Sequence, residues 1–194
     1  MARKSIDLLV ATHPDWVNVV LSDFDAFLQD HANCERKASA LAMSLVVKHP
    51  DRTRIVPALI ALAQEELEHF RQVYELMVSR GLPLIKDTQD PYVNQLAACM
   101  RHGREARFLD RLLVSSLVEC RGAERFRIIA DALEDQSLKA FYTSLWKAEA
   151  KHGHQFVDMA LEYGDGESTL ARLLELAERE AEIVQTLAWR ASLH

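Results

Sequence analysis

Apolar residues recur along the chain at steps of three and four, the spacing that lines one face of an α-helix. His13-Pro14-Asp15-Trp16 opens a short amphipathic segment after a short leader. Asp23 is placed to cap a long helical pattern that runs to Lys48, where His49-Pro50-Asp51 stops it. A second pattern starts at Thr53 or Arg54, tolerates Pro57 in its first turn, and ends at Arg80-Gly81. Leu82 to Pro91 has no period and two prolines, which predicts the longest connection, a crossover. Tyr92 to Arg101 reads as helical and Gly103 as a weak point. Glu105 to Ala132 is a third long helix, and Asp135-Gln136 starts a fourth that ends at Tyr163-Gly164-Asp165-Gly166. A fifth, Glu167 to Leu193, carries the stripe Leu170, Leu173, Leu174, Ala177, Ala181, Val184, Leu187 and Ala188. Four long helices of about 40 Å each, at 1.5 Å per residue, predict an all-α antiparallel four-helix bundle. The short N-terminal helical segment and a C-terminal helix are added to it, and residues 1–194 form a single domain.

Four glutamates interrupt the apolar stripes. Glu35 lies among Ala32, Ala38, Ala42 and Leu45, while Glu66 and His69 lie among Ala58, Leu59, Leu62, Ala63, Phe70 and Val73. Glu119 lies among Leu112, Ser115, Ser116, Ala123 and Phe126. Glu149 and His152 follow Tyr142, Leu145 and Trp146 and precede Phe156 and Met159. Each glutamate is near the midpoint of its helix, so packed helices of similar length bring the four to one level. The order is Glu, then Glu-x-x-His, twice, with 31 residues from Glu35 to Glu66 and 30 from Glu119 to Glu149. Residues three apart share a helix face. This is the donor pattern of di-iron and di-manganese carboxylate bundles.

Four ionised carboxylates in a protein core are strongly unfavourable unless they protonate or something cationic lies among them, and two divalent ions supply +4. Oxygen and imidazole donors without thiolate favour iron or manganese over structural zinc. On this reading Glu35 and Glu119 are terminal ligands, Glu66 and Glu149 bridge, and His69 and His152 each hold one metal. With 16 Glu and 8 His in 194 residues, a Glu-x-x-His pair arises by chance about 0.7 times, so the mid-helix placement carries the argument. His31, one turn before Glu35, is a candidate seventh ligand or a donor to one, although a partly exposed histidine is the ordinary outcome at such a position. His154 is expected to point away, and Cys34 and Cys120 to serve packing.

Composition agrees with a helical reading. Of 194 residues 49% are hydrophobic, and only 6 are Gly and 5 Pro, too few for a many-turned β fold. No stretch reaches membrane-spanning length and the first ten residues lack a secretory apolar block, so a cytoplasmic protein with no membrane partner is expected. Three cysteines, far apart, indicate neither disulfides nor a thiolate metal site.

The phrases His31-Ala32-Asn33-Cys34-Glu35-Arg36-Lys37-Ala38, Glu65-Glu66-Leu67-Glu68-His69-Phe70, Glu119-Cys120-Arg121-Gly122-Ala123-Glu124-Arg125-Phe126 and Phe141-Tyr142 through Glu149-Ala150-Lys151-His152 resemble the bacterial tRNA hydroxylase family (MiaE type), within the ferritin-like superfamily. The resemblance implies a ferritin-like fold and a non-haem di-iron monooxygenase, with two Fe ions and O2 as co-substrate. Its substrate would be the isopentenyl group of 2-methylthio-isopentenyladenosine beside the anticodon of tRNA. Without a flavin, nicotinamide or iron-sulfur fingerprint in the chain, the two electrons come from an external reductase.

A tRNA partner must be reconciled with a net charge of −6. Two divalent ions bring the total to about −2. Arg101, Arg104, Arg107 and Arg111 recur on one third of a helix surface and Arg125 rejoins that side, while Lys48, Arg52 and Arg54 cluster at the turn between the first two long helices. Such a stripe suits phosphates; the competing reading is a solvated face paired with Glu105, Asp110 and Glu124. Ser115 and Ser116 are small enough for a channel to open before Glu119, with Phe126 or Tyr142 flanking the hydrocarbon tail. The rivals are a manganese catalase, a peroxidase, an iron-binding protein, and a metal-free helical binding module whose acidic residues lie outside. A monomer or dimer is expected, where an iron-storage shell needs many subunits.

Overall fold

The computed structural model describes residues 8–194; residues 1–7, which belong to the leader, lie outside them. The described residues form seven helices and no strand: α1 (Trp16–Ser22), α2 (Phe24–Lys48), α3 (Val56–Ser79), α4 (Pro91–Ala98), α5 (Arg104–Ala132), α6 (Gln136–Leu161) and α7 (Gly166–Thr186). They divide into two compact units, one of residues 18–88 with 190–193, the other of residues 8–17, 89–189 and 194. No helix among the described residues is long and apolar enough to cross a membrane.

In the first of these units α2 and α3 pack against each other. The Asp23 side chain caps α2 by accepting from the Ala26 backbone N–H at 3.2 Å. Pro57 falls in the first turn of α3, where no internal hydrogen bond is lost. Gly81, at φ 72°, lets the Leu82 N–H turn back to the Met77 carbonyl and close the helix. Midway, Ser39 Oγ donates to the Ala63 carbonyl at 2.8 Å, a side chain short enough to leave the helices close. The expected long connection is an extended strap laid along α2. Gln29 Nε2 donates to the Pro83 carbonyl at 3.0 Å, Asn33 Nδ2 to the Ile85 carbonyl at 3.3 Å, and Lys37 Nζ to Asp87 Oδ1 at 3.0 Å.

The second unit is built on the α5–α6 pair, joined by the short link 133–135, with Asp135 capping α6 through Oδ1 to the Ser137 and Leu138 N–H groups. Helices α4 and α7 pack on it. Two sequence expectations change here. Helix α7 ends at Thr186, not Leu193, and Leu187 is already extended. Its inward face is Thr169, Leu173, Leu176, Ala177, Glu180, Ala181 and Ile183, whereas Leu170 and Leu174 are 40% and 44% exposed.

The cause is ionic. Glu180 is buried and accepts from Arg121 Nε at 2.9 Å, Arg121 Nη2 at 3.0 Å and Tyr92 Oη at 2.9 Å. Arg121 is also fully buried; its guanidinium further donates to the Val10 carbonyl at 2.8 Å, to Thr12 Oγ1 and to Glu124. Turning Glu180 inward to meet this cation outranks the apolar pattern of α7. Burial raises the Tyr92 phenol well above its ordinary range, helped by the Glu180 charge. Burial, together with the Arg121 charge, lowers the neighbouring Arg125 to about 10.

A buried pair that loses one member leaves a charge in the interior. Glu180→Ala is therefore expected to cost about 3–5 kcal/mol in urea unfolding, with most of it recovered in an Arg121→Met/Glu180→Leu double variant. A single-variant loss below about 1 kcal/mol would mean that water reaches the pair.

Candidate metal centre

In the unit of α2 and α3, Glu35 projects from α2 and Glu66 and His69 from α3. One donor atom from each lies within 4.8 Å of the other two. Both glutamates are buried and His69 nearly so. His69 Nδ1 is 3.4 Å from Glu66 Oε2 and 3.7 Å from Glu35 Oε2. The α5–α6 unit repeats this arrangement. Glu119, Glu149 and His152 are buried and bring one donor atom each within 4.8 Å of one another, with His152 Nδ1 again 3.4 Å from Glu149 Oε2.

Those 3.4 Å spacings exceed the roughly 2.7–2.9 Å of a charge-assisted hydrogen bond. They match two donors on one ion, since metal–ligand bonds of about 2.1 Å at octahedral or tetrahedral angles set donors about 3.0–3.4 Å apart. A divalent cation among two carboxylates and an imidazole buried together also balances their charge. The residues in each unit thus fit a divalent ion such as iron or manganese. A metal-free module needed these acids outside, and all four are inside.

The α5–α6 pair fits so closely because of a residue to which the sequence pattern gives no role. A Cβ built on Gly153 meets Cys120 Sγ at 2.6 Å and the Ser116 carbonyl at 3.4 Å. Ser116 Oγ donates to the Gly153 carbonyl at 2.8 Å. Gly153 adjoins His152 and Cys120 adjoins Glu119, so this close approach seats the turns that carry both side chains; a glycine inside a helix pattern was the available signal.

The other expected residues fall as follows. His31 is not partly exposed: it is completely buried, with Nε2 2.6 Å from Glu35 Oε1. Its signal was the four-residue step to Glu35 on one helix face. Ser115 and Ser116 are buried with their hydroxyls engaged, Ser115 Oγ on the Arg111 carbonyl at 2.8 Å. Phe126 and Tyr142 pack ring to ring, centroids 5.6 Å apart, inside the α5–α6 contact.

The arginine stripe is shorter than expected. Arg101 precedes Gly103, which at φ 91° separates it from α5. Its guanidinium is bound to buried Asp110, Nη2 to Oδ1 at 2.7 Å, and Arg172 Nη2 reaches the same carboxylate at 2.9 Å. Burial opposes the charge of Asp110, but the hydrogen bonds from Arg172 and Arg101 outweigh it and hold the carboxyl below its ordinary range. Arg125 is also buried, stacked over Trp16. Arg104 and Arg107 are exposed on α5 and Arg111 is half-buried. At the turn between α2 and α3, Arg54 and Lys48 are exposed and Arg52 lies half-buried, 3.7 Å from Asp51.

A model of the family described as tRNA-(MS2IO6A)-hydroxylase (MiaE) matches residues 2–194. A tRNA 2-(methylsulfanyl)-N(6)-isopentenyladenosine(37) hydroxylase of Pseudomonas putida is 37% identical over 175 residues, 89% of this chain and 84% of that protein. A hydroxylase of the same name from Salmonella typhimurium is 31% identical over 131 residues, 68% of this chain and 48% of that protein. Among solved structures, a Synechococcus protein described as having aldehyde deformylating oxygenase activity superposes with a TM-score of 0.91. The match covers 97% of this chain and 96% of that one at 32% identity, which establishes the all-helical, ferritin-like fold along the chain.

Gly153→Ala is expected to destabilise the protein by about 1–3 kcal/mol through overpacking against Cys120. Adding Cys120→Ala should return most of that loss in the same denaturant titration. Simple additivity of the two would place the clash elsewhere.

Proposed function

Because the chain belongs to the tRNA-(MS2IO6A)-hydroxylase (MiaE) family, we propose that it is a di-iron monooxygenase that hydroxylates the isopentenyl group of 2-methylthio-isopentenyladenosine in tRNA. The observation that carries this reading is the buried Glu, Glu-x-x-His set present once in each unit with the same His–Glu spacing. Glu35, Glu66 and His69 hold one iron; Glu119, Glu149 and His152 hold the other. Iron supplies the activation of O2: one oxygen atom enters a C–H bond of the prenyl group as a hydroxyl, and the other leaves as water with two protons and two electrons. An external reductase provides the electrons, and the protein acts as a monomer or dimer.

The residues of the chain contribute positioning and exclusion of water. Burial of the carboxylates keeps water from competing for the ions and strengthens every charge interaction around them. The tRNA backbone is held by Arg104 and Arg107, with Arg111 one turn deeper; burial and the Arg107 charge make the Arg111 guanidinium give up its proton more readily than a free arginine. With the ions bound, the negative balance that opposes RNA shrinks. Ser115, Ser116, Phe126 and Tyr142 shape the inner wall met by the hydrocarbon tail, while Arg52 and Arg54 give a second basic contact.

Glu66→Ala or His152→Ala is expected to remove bound iron and abolish hydroxylation, measured by mass spectrometry of tRNA nucleosides from cells carrying each variant, with far-ultraviolet circular dichroism nearly unchanged. A variant that still hydroxylates refutes the assignment. An Arg104→Ala/Arg107→Ala variant should weaken tRNA binding most at low salt and reduce the slope of log affinity against log salt by about 1–2, as for two lost phosphate contacts. An unchanged slope removes these arginines from the interface.

A further inference from the structure

The two sets differ in the residue one turn before the first glutamate. Four residues before Glu119 stands Ser115, whose hydroxyl is turned to the Arg111 carbonyl of its own helix. Four residues before Glu35 stands His31, whose imidazole reaches the glutamate itself. The ring is fully buried, with the Phe27 ring beside it at 5.7 Å between centroids. A carboxylate only accepts, so the imidazole donates from Nε2.

The two oxygens of Glu35 therefore face different partners. Oε1 takes the His31 hydrogen bond at 2.6 Å, and Oε2 lies 3.7 Å from His69 Nδ1. We propose that His31 is a positioning residue for Glu35, engaging Oε1 so that Oε2 alone is offered to the ion held with Glu66 and His69. This rests on the reading of those three residues as metal ligands. A carboxylate fixed by a neighbour has lost its rotational freedom before the ion arrives, and that loss is then not charged against binding. Glu119 receives no such restraint from position 115. The ion at Glu35 would then meet a carboxylate already oriented by His31.

The test is an anaerobic titration of the metal-stripped full chain with Co2+ alone, followed by calorimetry and visible absorption, for the unaltered chain, His31→Leu and His31→Gln. Leucine fills the space without a donor; the glutamine amide can donate to the same oxygen. The unaltered chain should take up two ions. His31→Leu should weaken one of them about 10–100-fold and shift its absorption band while the other keeps its affinity, and His31→Gln should restore most of the loss. Equal affinities for both ions in His31→Leu and the unaltered chain overturn the proposal. So does a His31→Gln as weak as His31→Leu, which would assign the effect to packing, and so does a loss shared equally by both ions. If His31→Leu does not fold, failure of His31→Gln to keep both the affinity and the band of the unaltered chain overturns it. An unaltered chain that binds no Co2+ instead brings down the metal reading itself.

Discussion

The structure depends on the placement of carboxylates where water cannot reach them. A domain of this size is stable by only about 5–15 kcal/mol, and a single uncompensated interior charge costs several of those. Each unit of this protein carries two such glutamates and a histidine in mutual reach. Packing of the helices around them does not meet that cost; a cation among the donors would. Charge balance and the interior of the protein are thus two aspects of one electrostatic problem, and the turns that carry Glu119 and His152 approach each other closely, as Gly153 against Cys120 shows.

A second interior charge is solved without metal. Arg121 and Glu180 neutralise each other directly, with Tyr92, Thr12, Glu124 and the Val10 carbonyl taking further hydrogen bonds. Burial opposes the charge of Arg121, but its hydrogen bonds and the charge of Glu180 hold its proton more firmly than in a free arginine. This pairing ties α5 to α7 and, through Tyr92, to α4. The glutamate–histidine sets differ in kind, since there the chain brings carboxylates and imidazoles together, a donor combination that suits a divalent ion.

These two solutions account for what was legible in the sequence. Helix limits were legible because Asp23 and Asp135 signal caps and Gly81 signals an end, each by local chemistry. The four buried glutamates were legible because a glutamate inside an apolar stripe is stable there only beside a cation or a strong donor, and the same Glu, Glu-x-x-His pattern recurs in each half of the chain. Glu180 followed the same logic but went unnoticed, since α7 has an alternative stripe through Leu170 and Leu174 that looks better on hydrophobicity alone; only the partner on α5, distant in sequence, decides between them. Arg101 was grouped with Arg104 because Gly103 reads as a tolerable defect in a helix, whereas its positive φ ends one element before the next begins. His31 was underestimated because a single histidine carries no pattern, and its meaning came from what lies one turn away.

The strap over α2 sets a condition of another kind. Its anchors at Gln29, Asn33 and Lys37 recur every four residues, about 6 Å along a helix, and meet Pro83, Ile85 and Asp87, every second residue of an extended chain that advances about 6.6 Å in the same interval. Two different lattices run nearly commensurate over three rungs. Substitution at a strap position disturbs at most one rung, but gaining or losing a single residue changes the parity of all that follow and presents the wrong side of the strap to each remaining anchor. Length, more than composition, is the inherited constraint on this segment.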